Sequence, residues 1–448
     1  MASSQLALST QSDLLSRLDE ARARTDALFE LLPPNSYYER PIAERHRLIF
    51  YLGHLEAFDW NLLSEPLGLK SDDSEFDKLF AFGIDPVDGG LPKDVPKDWP
   101  TIGRVEKYNR DIRRRLDGAL RNLSDASRPE RRDGTLLHVA IEHRLMHAET
   151  LAYLLHNLPA EKKTVPMRPR PDTHPAPTQR QAKIPAGVAT LGLSSAQPRL
   201  FGWDNEFGEL RVQVPSFSID VFPVTNGEYL KFIEAGGYDD ARYWKREDWE
   251  WKQRDGIRHP HFWSKKVDAL ADDPKTDWKY RRMFGDIPLP MAWPVYVSQA
   301  EASAYAKWAG KKLPTEAQWH RAAYGTPAGS ERSYPWGESA PESRHGNFHH
   351  QHWDATAVDA HPEGASAFGA FDLLGNGWEW TSSAFGPFPG FEAFPFYPGY
   401  SANFFDGKHF VMKGGSARTD ACMLRRSFRN WFQPHYPYVY SKFRCVEE

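Results

Sequence analysis

The chain has 448 residues, and its 56 basic and 60 acidic side chains leave a net charge of −4, which allows two or three domains and gives no global attraction to nucleic acid or an anionic membrane. No apolar run approaches the roughly 20 residues that span a bilayer and the N-terminus lacks a signal-peptide core, so a cytoplasmic protein is expected. Two cysteines, Cys422 and Cys445, argue against a disulfide framework, while 14% aromatic content with 16 Trp suits irregular backbone pinned by large rings or aromatic-lined pockets.

Helical spacing opens the chain. From Asp13 as N-cap, Leu14, Leu18, Ala21, Thr25, Leu28 and Leu32 follow one face until Pro33 and Pro34 end the run. A second helix is predicted over 41–64, starting near Pro41 and carrying Leu48, Tyr51, Leu55, Phe58 and Leu62. A third begins near 100 with Val105, Tyr108, Ile112 and Leu116, and a fourth covers 134–157. Four such helices make a bundle, whose core commonly houses metal sites built from facing helices. Residues 161–185, rich in Pro and charge, read as a surface linker. Beyond it VQVPSFSIDVFPVT reads as strands, and SQAEASAYAKWAG and PTEAQWHRAAYG as helices. Residues 186–448 are therefore expected to form one α+β domain.

The fourth helix contains IEHRLMHAETLAYLL, in which His143 and His147 lie four residues apart. An i, i+4 pair sits one turn apart on one helix face, so both imidazoles can reach one metal ion. Glu149 falls about 200° beyond His147 and does not share that face. A third ligand must come from another helix, and His54 in FYLGHLEAFDWNLL is the natural candidate. His46 lies roughly 80° off the His54 face, and the five-residue offset of His138 from His143 separates those two.

Several segments together resemble the formylglycine-generating-enzyme (sulfatase-modifying-factor) fold: FGWDNEFGE, PVTNGEYLKFIEAGGY, KKLPTEAQWHRAAYG, AFGAFDLLGNGWEWTSSAF, MKGGSAR and RRSFRNWFQPHYPYVYSKFR. The N-terminal part resembles a DinB-like helical bundle. In this order the two resemble the ergothioneine-biosynthetic sulfoxide synthases, which are non-haem iron enzymes. The resemblance implies a DinB-like metal-binding bundle over 10–160, the Pro-rich linker over 161–185, and a formylglycine-generating-enzyme-like catalytic domain of C-type-lectin-like fold over 186–448.

It further implies Fe(II) held by His54, His143 and His147 between the two domains. The implied reaction uses O2 to join a thiol sulfur to C2 of the imidazole of Nα-trimethylhistidine, giving a sulfoxide. PFYPGYSANFF resembles the segment that supplies a tyrosine proton donor, which nominates Tyr397 and then Tyr400. FRNW resembles the betaine-binding region and nominates Asn430 and Trp431. Aromatic walls suit a quaternary ammonium through cation–π attraction.

The chain also departs from the pattern. His-Arg-Leu-Met-His replaces the His-Glu-Gln-Gln-His of better-known members, so Met146 stands where a polar residue would face the acceptor pocket. LFAFGIDPVDGG lacks the two arginines that clamp γ-glutamylcysteine in members using that donor. Phe432 follows FRNW where some relatives carry an acidic residue. Guanidinium forks are the best carboxylate clamps, so free cysteine, or another thiol or selenol, is the expected donor. Copper-dependent formylglycine-generating enzymes need two thiols five residues apart, and here Cys422 is followed by Ser427. The histidines of HGNFHHQHW look like a metal tract, which the resemblance places in a surface loop.

Three other readings compete. One is a related C–S or C–Se bond-forming enzyme with another chalcogen donor or plain histidine as acceptor. Another is a DinB-type metal-dependent thiol transferase. The last is a non-catalytic binding protein on the same scaffold.

Overall fold

The computed structural model describes residues 11–81, 91–122, 132–164, 174–194, 201–265 and 278–448. They fall into two compact units, with described residues up to 164 in the first and those from 174 onward in the second. No helix among the described residues is long and apolar enough to cross a membrane.

The first unit is helical. Helix α1 (Gln11–Phe29) packs along α5 (Arg132–Asn157), and α2 (Leu48–Leu63) packs against both α4 (Ile102–Arg121) and α5. Helix α4 is amphipathic, burying Val105, Tyr108, Ile112, Leu116 and Leu120 at helical spacing. Helix α2 is buried nearly all round, as a helix apolar on every face must be.

Helix α2 starts at Leu48 rather than near Pro41. The chain over 37–47 folds back, so that the carbonyls of Glu39 and Tyr37 accept the first helical N–H groups, from Leu48 at 3.0 Å and Ile49 at 2.6 Å. Those groups have no partner within the helix. Asp13 lies inside α1 rather than capping it. One short helix was not anticipated, α3 (Ser74–Leu79), capped by the Asp73 side chain accepting from Phe76 N.

The linker prediction over 161–185 needs correction at both ends, although residues 165–173 lie outside the described set. Lys163 Nζ donates to the Leu155 carbonyl at 2.7 Å, tying the start to α5. Gln181–Ile184 form β1, paired antiparallel with β4 (Phe217–Asp220). Alternating burial along β1 turns Ala182 and Ile184 into the core, which is the period-two pattern of a strand.

In the second unit β4 also pairs with β12 (Val446–Glu447), so the end of the chain closes the sheet that β1 opens. A separate hairpin joins β2 (Gly187–Leu191) to β3 (Leu210–Val214). The meander β5 (Trp263–Lys265), β6 (Trp278–Arg282), β7 (Gly285–Pro288) stands apart from a four-stranded sheet of order β10-β9-β8-β11. Those four strands are Asn430–Phe432, Phe410–Lys413, Trp378–Ala384 and Ser441–Lys442. Of helices α6 (Asn226–Glu234), α7 (Arg246–Arg254), α8 (Gln299–Trp308) and α9 (Glu316–Tyr324), α9 packs on β2, β3, β8 and β9, α8 packs on β8, and α6 packs on α8. The expected α+β architecture after an all-α unit is what the chain adopts.

Much of the second unit is pinned by buried charge. Arg444, wholly buried, donates to both Glu379 carboxylate oxygens at 2.7 Å and to the carbonyls of Asp220, Val221 and Phe371. Near β5, His261 accepts from Arg281 Nη2 at 2.7 Å. Burial first, and the Arg281 charge second, push the His261 pKa down to about 3. Its ordinary value in an unfolded chain is about 6.5, so between those values the unfolded state binds the extra proton. Stability is therefore complete above about pH 6.5 and is lost as pH falls toward 3. Moving from pH 7 to pH 5 should cost about 2 kcal/mol through this group. Urea midpoints of wild type and His261→Gln should converge as pH falls, and parallel curves would exclude His261 as the source.

Candidate metal centre

His54 lies in the middle of α2, and His143 and His147 lie one turn apart on α5. All three are buried, at 4%, 3% and 3% exposure. One nitrogen from each lies within 4.8 Å of the others. Ring centroids are 5.3 Å apart for His54–His143, 4.8 Å for His54–His147 and 4.5 Å for His143–His147. Among the described residues no other group of His, Cys, Asp or Glu converges in this way.

Each ring is held in the neutral form that binds a metal. Burial drives the His54 pKa down to about 4, against a partial opposing pull from the Phe80 carbonyl. Burial also drives His143 and His147 well below the usual imidazole range, with neighbouring rings and charges adding to the effect. The Nδ1 of His54 lies 2.7 Å from the Phe80 carbonyl oxygen. A carbonyl only accepts, so that nitrogen carries the proton and Nε2 keeps its lone pair. Nδ1 of His147 is buried without a hydrogen-bond partner among the described residues. Aromatic rings dry the site: Phe58 stacks on His143 with centroids 3.4 Å apart, Phe50 on His54 at 4.9 Å, and Tyr51 lies 5.9 Å from His147.

Three buried, neutral, convergent imidazoles fit a divalent transition metal. Imidazole suits Fe, Zn, Cu and Ni, and a three-ligand set leaves coordination positions open.

Beside the histidines lies an ion cluster whose residues are not among those expected from the sequence. Arg144, wholly buried, donates to Glu56 at 2.9 Å, to Asp59 at 2.6 Å and to the Leu55 carbonyl at 3.0 Å. Arg113 of α4 reaches the same Glu56 oxygen at 2.6 Å and both Asp26 oxygens of α1 at 2.6 and 2.7 Å. The two acids respond differently. Burial opposes the charge on both, but two guanidiniums hold Glu56 down at about 2, whereas Asp59 is pushed up. One signal was available: charged residues on a helix apolar all round must find partners.

The remaining predicted residues fall as follows. Met146 is half-buried beside His147. His46 lies in the turn before α2, its ring 4.2 Å from Phe50, and neither it nor His138 belongs to the convergent group. Of LFAFGIDPVDGG, residues 82–90 lie outside the described set.

In the second unit, Tyr397, Tyr400 and Trp431 share one aromatic cluster. Tyr400 stacks on Trp203 with centroids 4.0 Å apart and lies 5.5 Å from both Tyr397 and Trp431, and Trp431 stacks on Phe385 at 4.1 Å. All three predicted residues are half-buried. By strand alternation Asn430 and Phe432 lie on the other face of β10 from Trp431, and Phe432 stacks on Tyr436 at 5.2 Å. The preceding Arg429 donates to the Gly386 carbonyl at 3.0 Å and pairs with Glu316, a framework role.

Two histidines of HGNFHHQHW are engaged elsewhere. His345 stacks on Trp336, and His349 sits 2.9 Å from Asp420. Ser427, where a second thiol would be needed, is buried and donates to Glu206 at 2.7 Å. Cys445 is buried and its thiol is pushed well above its usual range by desolvation, while Cys422 is half-buried.

Known proteins share this organisation. Residues 167–448 match the sulfatase-modifying factor enzyme 1-like domain, and residues 17–151 match the DinB superfamily. Hercynine oxygenase of Mycobacterium tuberculosis is 36% identical over 324 residues, covering 72% of this chain and 73% of that protein. Ergothioneine biosynthesis protein 1 of Neurospora crassa is 31% identical over 497 aligned positions, covering 94% of this chain and 56% of that one. The formylglycine-generating enzyme of Streptomyces coelicolor is 32% identical over 246 residues, covering 49% of this chain and 73% of its own. The chain belongs to the ergothioneine-biosynthetic family of the hercynine oxygenases and ergothioneine biosynthesis proteins, a DinB-superfamily bundle followed by a sulfatase-modifying-factor-type domain.

Proposed function

We propose that this protein is a non-haem iron(II)- and O2-dependent sulfoxide synthase that joins a thiol to C2 of the imidazole of Nα-trimethylhistidine. The observation that carries the reading is the buried set of neutral imidazoles from His54, His143 and His147. The names of its relatives, hercynine oxygenase and ergothioneine biosynthesis protein 1, support the same reaction class. When bound, Fe(II) would supply one-electron chemistry with dioxygen and open positions for a soft sulfur donor.

The chain's own residues do the rest. Nε2 of His54 and one nitrogen each of His143 and His147 hold the ion, and burial keeps them unprotonated at neutral pH. Phe50 and Phe58 exclude water from the imidazole faces. In this proposal the Tyr397 hydroxyl delivers a proton during turnover, with Tyr400 as the second candidate, and a phenol in hydrogen-bond reach of the reacting group is a competent acid. Trp431 offers an aromatic face to the betaine's quaternary ammonium, with Met146 as a further substrate contact; Asn430 and Phe432, on the opposite face of β10, would have to meet a different part of the substrate. The donor is free cysteine rather than γ-glutamylcysteine, because LFAFGIDPVDGG contributes no guanidinium.

Anaerobic reconstitution with Fe(II), addition of trimethylhistidine and cysteine, and then admission of air should yield a coupled sulfoxide by mass spectrometry. No coupled product from a panel of thiols, selenols and histidine betaines would overturn the assignment. Thiol transfer with zinc in the absence of oxygen would favour a transferase instead. Tyr397→Phe should divert turnover toward oxidation of the thiol alone, and an unchanged product ratio would remove Tyr397 from the mechanism.

A further inference from the structure

Residue 53, directly before His54, is glycine in the interior of α2. Glycine carries a conformational penalty in a helix interior relative to alanine. Here it makes room for one ring. A Cβ at position 53 would stand 2.6 Å from Cδ1, Cε1 and Cε2 of Phe80, far inside van der Waals contact. Phe80 is wholly buried, packed among Phe50, Phe76, Trp99 and Tyr108.

The backbone of that same residue accepts from His54 Nδ1 at 2.7 Å. Phe80 caps the C-terminus of α3, and its N–H donates to the Phe76 carbonyl at 3.1 Å. Helix α3 is itself fixed: Asn61 of α2 donates to the Asp77 carbonyl at 3.1 Å, and Tyr108 of α4 donates to the Asp77 carboxylate at 2.7 Å. The carbonyl is therefore held by a ring in a glycine notch and by a clamped helix.

We propose that Gly53 and Phe80 form a positioning pair that selects the Nε2 side of His54 for metal. The inference rests on the reading that the three histidines hold an ion, and it adds what aims one of them. A neutral imidazole has one proton to place. A fixed carbonyl at Nδ1 commits the proton there, which orients the ring and leaves Nε2 as the ligand. Neither residue touches the ion.

The test is a double-mutant cycle on the full chain, with Co(II) as the probe and two readouts. Co(II) affinity is measured by titration, and the His54 tautomer is read by long-range 15N–1H NMR of the histidine-labelled apoprotein, assigned by comparison with His54→Ala. Gly53→Ala displaces the ring, and Phe80→Leu leaves the notch underfilled. Each should weaken Co(II) binding by about 10- to 100-fold, the usual worth of an outer partner of a ligand. Each should also raise the population of the Nε2–H tautomer. In the double variant the alanine methyl fills the space the ring vacates, and both readouts should recover toward wild type. Should Gly53→Ala not fold, Phe80→Leu and the double variant carry the comparison.

Single variants with wild-type affinity and tautomer would overturn the inference. So would lost affinity with an unchanged tautomer, or a double variant no better than the singles. Wild-type protein that fails to bind Co(II), or binds it equally after His54→Ala, would instead overturn the three-histidine reading.

Discussion

Alanine at His143 or at His147 should remove the metal from the purified protein and with it the turnover. Two imidazoles then remain where three converge within 4.8 Å. Outer partners of a ligand alone are worth about 10- to 100-fold in metal affinity, so a lost direct ligand should cost more than the upper figure. The fold should survive. The missing ring is neutral, so no uncompensated charge is left behind, but the cavity beside Phe58 or Tyr51 should lower the melting temperature of the apo variant, at a cost of about 2–5 kcal/mol. Elemental analysis beside calorimetry checks both halves. His138→Ala and His46→Ala serve as controls, because neither residue belongs to the convergent group. A His143→Ala protein with wild-type metal content would place the ion elsewhere.

Arg144→Met should strongly destabilise the first unit. Methionine keeps an unbranched, uncharged stem two atoms shorter than that of arginine, and among the described residues it leaves Asp59 with no hydrogen-bond partner and Glu56 with Arg113 alone. Breaking one side of a buried pair typically costs about 3–5 kcal/mol, because the remaining charge stays out of water. Asp59, already pushed up by burial, should respond by taking a proton, so the deficit should shrink in acid. Replacing all three, as Arg144→Met with Glu56→Gln and Asp59→Leu, should recover much of the loss, since well-packed neutral groups often match a buried ion pair. Urea titration measures each step. An Arg144→Met chain as stable as wild type would mean that the cluster contributes nothing net.

What could be read in advance follows from how local each signal is. The spacing of His143 and His147 is visible in five consecutive residues, and helical geometry alone puts both on one face. The pairing with His54 needed a second helix. It was reachable because α2 and α5 are long and strongly patterned. Arg144, Glu56 and Asp59 are 85 and 88 residues apart in their pairings, and no local pattern states which buried charge meets which. The Gly53 notch is equally silent, because its meaning lies in a ring 27 positions away, at residue 80.

In the second unit α6 carries a start signal that is legible in the sequence alone. Thr225 and Glu228 form a reciprocal capping box, the threonine–glutamate spacing that marks a helix start. Helix α7, with Arg246, Glu247 and Asp248 in its first turn, begins without a side-chain cap and offered less. Pro41 is a misleading start signal for α2 for a different reason. Proline suits a first helical turn, but the carbonyls that satisfy the true start come from residues 37 and 39 folding back, a tertiary fact.

The thiol inventory has a practical consequence at the bench. One cysteine is sealed in the core with its proton held tightly, and the other is only half open to solvent. Such a chain can be purified and assayed without added dithiothreitol or mercaptoethanol. Those reductants would themselves chelate the ion and compete with the sulfur compound under test, so leaving them out makes donor preference directly measurable.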